Sequence, residues 1–216
     1  MAIRTNVGAA PLKIREPVQF KGVPGSPYTR KMLAYLRYRH IRYELLIGNQ
    51  ADSLSLPQPK VNLLPTFFLP NAQNELEAVV DSTPLIRRFE ADFTERAAIP
   101  EHPVLAFLNY LIEDCTDEWL TNAMFHYRWH YDADIKMAGT ILPRWSGNQA
   151  PEEQLQAGQA KMETTIAGSP WAQPTFPYQA RCLQWINKEY RKLDSGARDQ
   201  VDAVLGGTGC DSMIFQ

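Results

Sequence analysis

Val18-Gln19-Phe20-Lys21-Gly22-Val23-Pro24-Gly25-Ser26-Pro27-Tyr28-Thr29-Arg30-Lys31-Met32-Leu33-Ala34-Tyr35-Leu36 is the stretch from which the fold is read. Val18 to Val23 alternates apolar and polar residues and ends at Pro24-Gly25, the pattern of a strand entering a turn. Ser26-Pro27 predicts a helix start. Ser is a preferred N-cap, and Pro needs no amide partner at the first helical position. Met32, Leu33, Tyr35 and Leu36 then fall at helical spacing. Ile41 to Ile47 reads as a second strand. Strand, helix and strand in so short a span predict a βαβ unit with a parallel pair.

Further along, residues 48–64 are polar and broken by prolines, with room for at most a short helix. Thr66 to Leu69, a turn at Pro70-Asn71, and Glu77 to Val80 predict an antiparallel hairpin. Asp81-Ser82-Thr83-Pro84 opens another helix. The order is βαβ, then ββα. A connector follows over 93–102, and from Val104 the pattern is all-helical. Val104, Leu108, Leu111, Cys115 and Trp119 form one apolar stripe on a long predicted helix, with Glu113, Asp114, Asp117 and Glu118 on solvated faces. Helices are also expected near 152–166, 178–193 and 197–205. The expected fold class is α/β plus all-α: a tail over 1–16, an α/β domain over 17–92, a linker over 93–102 and a helical domain over 103–216.

Composition excludes some functions. Charged residues are 21% of the chain and the net charge is -2, which gives no reason to expect a nucleic-acid or anionic-membrane surface. No run has the length of a membrane span, and the N-terminus lacks the apolar core of a signal peptide. The three cysteines, Cys115, Cys182 and Cys210, are too far apart for a CxxC motif. Such sparse cysteine usage suits a reducing cytoplasm.

Three motifs carry a family resemblance: SPYTRKMLAYL from Ser26, LLPTFFL from Leu63 and VVDSTPLIRRFE from Val79. In this order and spacing they resemble the glutathione transferase family, in its serine-type, bacterial form. EDCTDEWLTNAMFHYRWHY from Glu113 is similar to the helical domain of certain bacterial members. The resemblance implies a thioredoxin-like domain that binds glutathione as co-substrate, followed by a helical bundle, with no metal. It also implies a homodimer acting on hydrophobic electrophiles, as in detoxification.

The chemistry of such an enzyme explains the residues. The thiolate of glutathione is the nucleophile, and a free thiol of this kind has a pKa of roughly 8.5. A hydroxyl at a helix N-terminus, where amides and dipole favour negative charge, stabilises the anion. A hydrogen bond to a charged group contributes roughly 1.5 to 3 kcal/mol, about one to two pKa units. By resemblance Ser26 is that catalytic donor, with Tyr28 and Thr29 as rivals. Pro65 is the cis-proline that presents the backbone of Leu64 to the cysteinyl unit. Asp81 and Ser82 hold the γ-glutamyl end, and Lys60 is the candidate for the glycine carboxylate. Tyr110, Trp119, Arg128 and Trp129 lie on the helix that borders the electrophile pocket.

Plainer readings stand beside these: Ser26 as an N-cap alone, Pro65 as a strand-initiating proline, Asp81-Ser82 as a capping pair. His126 and His130, at i,i+4 with Asp134 beyond, read as a solvated or pocket-lining face in preference to a metal site. The chain departs from the family in having Asn62-Leu63-Leu64 where Gly-Lys-Val is common. Its last residues also do not supply the family's late capping box, so the helical domain is expected to be incomplete. The alternative to an enzyme is a non-catalytic, transferase-like binding or assembly module.

Overall fold

The computed structural model describes residues 13–146, 150–166 and 188–206. The chain divides into two compact units, Met1–Ala98 with Ile141–Leu155, and Ile99–Thr140 with Gln156–Gln216. Ile141–Leu155 therefore groups with the α/β unit, which a boundary drawn from sequence alone at residue 103 does not anticipate.

The first unit is built on strands β1 (Val18–Gly22), β2 (Tyr43–Ile47), β3 (Thr66–Pro70) and β4 (Leu76–Val79), in the order β2-β1-β3-β4. β1 pairs parallel with β2 and antiparallel with β3, and β3 pairs antiparallel with β4. With helices α1 (Pro27–Tyr38) and α2 (Ser82–Asp92), this is the thioredoxin-like βαβ-ββα arrangement. Its physical basis is the strand period of two. Val18 and Phe20 turn to one face and are fully buried, while Gln19 and Lys21 turn to the other. Met32, Tyr35 and Leu36 of α1, and Leu85 and Phe89 of α2, close over that first face. Phe20 stacks on Phe67 at 4.5 Å, and Phe89 meets Phe67 edge-on at 5.6 Å. Leu46, Ala51 and Phe68 form a smaller cluster that includes the 3₁₀ turn Gly48–Ser53. Lys21 ties that turn to β1 through Asp52 at 3.0 Å.

A buried ion pair joins α1 to the end of α2. Arg39, whose side chain is wholly buried, pairs with Glu90 and donates to the Phe93 carbonyl and, at 3.0 Å, to the Glu95 carbonyl. The Tyr35 hydroxyl donates to Glu90 at 2.7 Å. Burial pushes the Tyr35 phenol up to about 12, against the opposing effect of Arg39.

The second unit is helical among its described residues. α3 (Pro103–Asp114) leads through a π-turn (Cys115–Trp119) into α4 (Leu120–Trp129), and α5 (Asp132–Ser146) begins here. α6 (Glu152–Lys161), a second π-turn (Met162–Ile166) and α7 (Ser195–Gly206) follow. Val104 and Phe107 of α3 pack on Ala197 and Val201 of α7, with Tyr190 edge-on to Phe107 at 5.6 Å. Asp194 caps α7 by accepting from the Ala197 amide at 2.8 Å. Most of the helix expected over 178–193 lies outside the described residues.

The apolar stripe read from sequence needs correcting where α3 enters the π-turn. The turn closes with the Leu120 amide bonded to the Cys115 carbonyl, one residue wider than an α-turn. Ahead of it α3 is regular α-helix through Asp114, so the turn does not set the facing of Asp114 and Cys115. Val104 is buried as expected, but Cys115 is exposed and Asp114 is buried. Asp114 Oδ2 is buried without a hydrogen-bond partner. Burial, and then Glu118, Glu113 and Asp117, raise its carboxyl from 3.8 to about 6. Asp114 is thus not part of a solvated face.

Candidate functional site

The register of the sheet decides which loops meet. Lys21 at the end of β1 faces Thr66 at the start of β3, and Phe67 faces Val79 at the end of β4. The turn after β1, the segment before β3 and the segment after β4 therefore emerge at one end of the sheet. These segments carry Ser26, Leu64-Pro65 and Asp81-Ser82, far apart in sequence and neighbours in topology.

At the first of these, Ser26 adopts extended backbone (φ -82°, ψ 120°) and caps α1, its Oγ accepting from the Thr29 amide at 3.2 Å. The same hydroxyl donates to the Leu64 carbonyl at 3.4 Å. The first turn of α1 contains no acidic residue, so nothing there competes with an incoming anion. Tyr28 is half-buried in that turn. Thr29 is fully buried and packs on Gly22: a Cβ placed there would come within 2.7 Å of Thr29 Cγ2 and 3.2 Å of Leu45. Its hydroxyl faces the sheet, not a cleft.

At the second, the Leu64-Pro65 peptide is cis. Two hydroxyls hold the chain just before it. Thr66 Oγ1 donates to the Leu63 carbonyl at 2.7 Å, and Ser26 donates to that of Leu64. Leu64 remains half-buried, and Lys60 and Asn62 are exposed in the loop ahead of it.

At the third, Asp81 caps α2 with φ 80° and ψ 114°, and its Oδ1 accepts from the Thr83 amide at 3.2 Å. A non-glycine residue at this φ is strained, and such strain persists where surrounding structure over-determines it. Ser82 behind it is buried at the start of the helix. An exposed carboxylate and a helix N-terminus side by side suit a group carrying both an ammonium and a carboxylate.

The sequence did not single out Leu142 and Trp145, at the end of α5. They lie against Gly25: a Cβ placed there would run into the Trp145 ring and stand 3.0 Å from Leu142 Cδ2. The ring remains partly exposed. Their spacing of three marks a shared helix face, but nothing in a sequence tells which turn that face meets.

Residues 21–97 match the family model for the glutathione S-transferase N-terminal domain. This stretch is glutathione S-transferase-like, and it takes in the Ser26 turn, Leu64-Pro65 and Asp81-Ser82. A search of curated proteins finds no match.

The expected electrophile-pocket residues belong to the second unit. Trp129 is buried, with its Nε1 lacking a partner, and Tyr110 packs against the Val104–Phe107 core. Arg128 is half-buried, and burial lowers its pKa. The side chain of Trp119 lies outside the described residues. Among the described residues, no group of three or more His, Cys, Asp or Glu is placed to hold a metal, and no helix is long and apolar enough to cross a membrane. A cavity of about 410 Å³, lined by Lys13, Pro17, Gln19, Phe68 and Leu76 among others, sits at the opposite end of the sheet, where β1 and β4 begin.

Proposed function

We propose that the first unit binds glutathione and that the chain transfers its thiolate to an electrophilic small molecule. What supports the reading is one relationship: the sheet register brings the Ser26 turn, Leu64-cis-Pro65 and Asp81-Ser82 to one edge, within a stretch that matches the glutathione S-transferase N-terminal domain. In this reading the Leu64 backbone pairs with the cysteinyl unit as an added strand. Asp81 takes the γ-glutamyl ammonium, and the α2 N-terminus with Ser82 takes its carboxylate. Lys60 is the cation in reach of the glycine end. Ser26 redirects its hydroxyl from the Leu64 carbonyl to the sulfur, holding it as thiolate at the N-terminus of α1. Tyr28 is the second candidate donor. Leu142 and Trp145 offer apolar surface beside Gly25 for an electrophile. A homodimer in the cytoplasm completes the reading.

One observation favours a non-catalytic binding module instead. Ser26 is already satisfied, accepting from Thr29 and donating to Leu64, as a purely structural cap would be. Retention on immobilised glutathione, followed by conjugation assays with an aryl halide and an activated alkene, separates the two. Retention with turnover that falls in Ser26→Ala supports the enzyme. Retention without turnover supports the module. Failure of the wild-type chain to be retained overturns both.

A further inference from the structure

The C-terminal turn of α4 holds a pair of imidazoles that the glutathione reading does not use. His126 and His130 lie at i,i+4, the spacing that sets two side chains one above the other on a helix. Their rings stack with centroids 4.4 Å apart and planes inclined by 28°. Tyr131 stands edge-on to both, at 5.9 Å from His126 and 4.9 Å from His130, and Tyr127 is edge-on to His126 at 5.4 Å. Aromatic neighbours thus flank both rings. His130 is exposed and His126 half-buried, so one side of the pair opens to solvent. His126 Nδ1 is buried and has no hydrogen-bond partner. Neither tautomer satisfies that nitrogen: as a donor it lacks an acceptor, and as a lone pair it lacks a donor.

From this geometry we infer that His126 and His130 form a two-imidazole chelate for a divalent transition-metal ion of the Zn²⁺, Ni²⁺ or Cu²⁺ class. Neutral imidazole is the shared preferred ligand of these ions, whereas Mg²⁺ and Ca²⁺ take oxygen donors. Two nitrogens bound at about 2.0–2.1 Å in a tetrahedral site stand about 3.3 Å apart. Because each nitrogen ligates in the plane of its ring, chelation turns the stacked rings so that their nitrogens converge, which rotation about the side-chain torsions, chiefly of exposed His130, supplies without moving the helix. Water fills the remaining positions, so the ion is exchangeable. The site lies wholly within the helical unit and does not depend on glutathione binding.

The test is titration of tag-free protein with Zn²⁺ and Ni²⁺ by calorimetry, in a weakly coordinating buffer free of glutathione, together with electron paramagnetic resonance of the Cu²⁺-loaded chain. The expected results are one ion per chain, copper the tightest, no heat with Mg²⁺, and two imidazole nitrogens in the copper spectrum. His130→Ala, at an exposed position, weakens binding by at least about tenfold, while His102→Ala leaves it unchanged. Binding that survives His130→Ala overturns the proposal, as does a copper spectrum of the wild-type chain with fewer than two imidazole nitrogens. The spectrum decides the matter even if the variant folds poorly.

Discussion

The Ser26 hydroxyl donates to the Leu64 carbonyl at 3.4 Å, joining the first turn of α1 to the residue that precedes cis-Pro65. The bond is long, and its donor is also the N-cap of the helix. The same oxygen thus serves as the helix cap, and in the proposed function it is also the donor to the thiolate. Its structural role and its proposed catalytic role separate by substitution.

Ser26→Ala removes both. The lost cap costs about 1 kcal/mol of stability, whereas Ser26→Gly costs only a few tenths. If the hydroxyl stabilises the thiolate, both variants lose about ten- to a hundredfold in kcat/KM for conjugation, the equivalent of one charged hydrogen bond. Urea denaturation beside steady-state kinetics on the two variants checks this. A Gly variant with unchanged turnover would reduce Ser26 to a cap.

Gly25 is required by space, because the Trp145 ring and Leu142 occupy the position of its missing side chain. Gly25→Ala is expected to destabilise by about 1–3 kcal/mol through overpacking. Adding Trp145→Ala removes the obstruction, so the double variant should be more stable than the two single effects summed, by about 1 kcal/mol or more. A double-mutant cycle by chemical denaturation measures the coupling; strict additivity would refute the contact.

The Arg39–Glu90 pair makes a sharper stability prediction. Glu90→Ala leaves a guanidinium whose side chain is wholly buried without its carboxylate, at a cost of about 3–5 kcal/mol. Replacing both partners with Met costs much less, because no uncompensated charge remains. Thermal melts of wild type, Glu90→Ala and the double variant should rank in the order wild type, double, single.

Asp114 produces a pH dependence of definite sign. Its carboxyl titrates near about 6 in the folded chain instead of 3.8, so between those values the folded state holds the proton more tightly than the unfolded state. Its contribution is fully present below about pH 4 and is lost as pH rises through about 6. Asp114→Asn removes this step and is expected to stabilise the chain at pH 8 by about 1–2 kcal/mol, after discounting for solvent screening. Denaturation midpoints of the two proteins at pH 4, 6 and 8 should diverge upward in pH; parallel curves would contradict the prediction.

Much of the first unit was legible because its signals are local. Alternation in Val18–Gly22, the Ser26-Pro27 cap and the Asp81-Ser82 helix start are each decided within a few residues by backbone sterics and capping bonds. The π-turn was not legible. A stripe at spacings of four and three assumes an α-helix running unbroken to Trp119, and exposure near its far end depends on what packs there, which leaves Cys115 exposed and Asp114 buried. Helix α5 also went unread. Its Leu142 and Trp145 form an unremarkable apolar pair until tertiary packing lays them on Gly25.

The sequence by itself determined the order of elements and their capping residues, since these follow from local propensity, and its motifs carried the resemblance that implies the candidate set Ser26, Pro65, Asp81 and Ser82. Tertiary structure alone decided that β1 also pairs antiparallel with β3, which, with β3 on β4, carries residues 26, 64 and 82 to one end of the sheet. It alone buried Thr29 against Gly22 and set Trp145 over Gly25. The physical reason is the same in each case: the deciding contacts join residues remote in the chain or depend on a helix's rotation, and neither is encoded in any single local window.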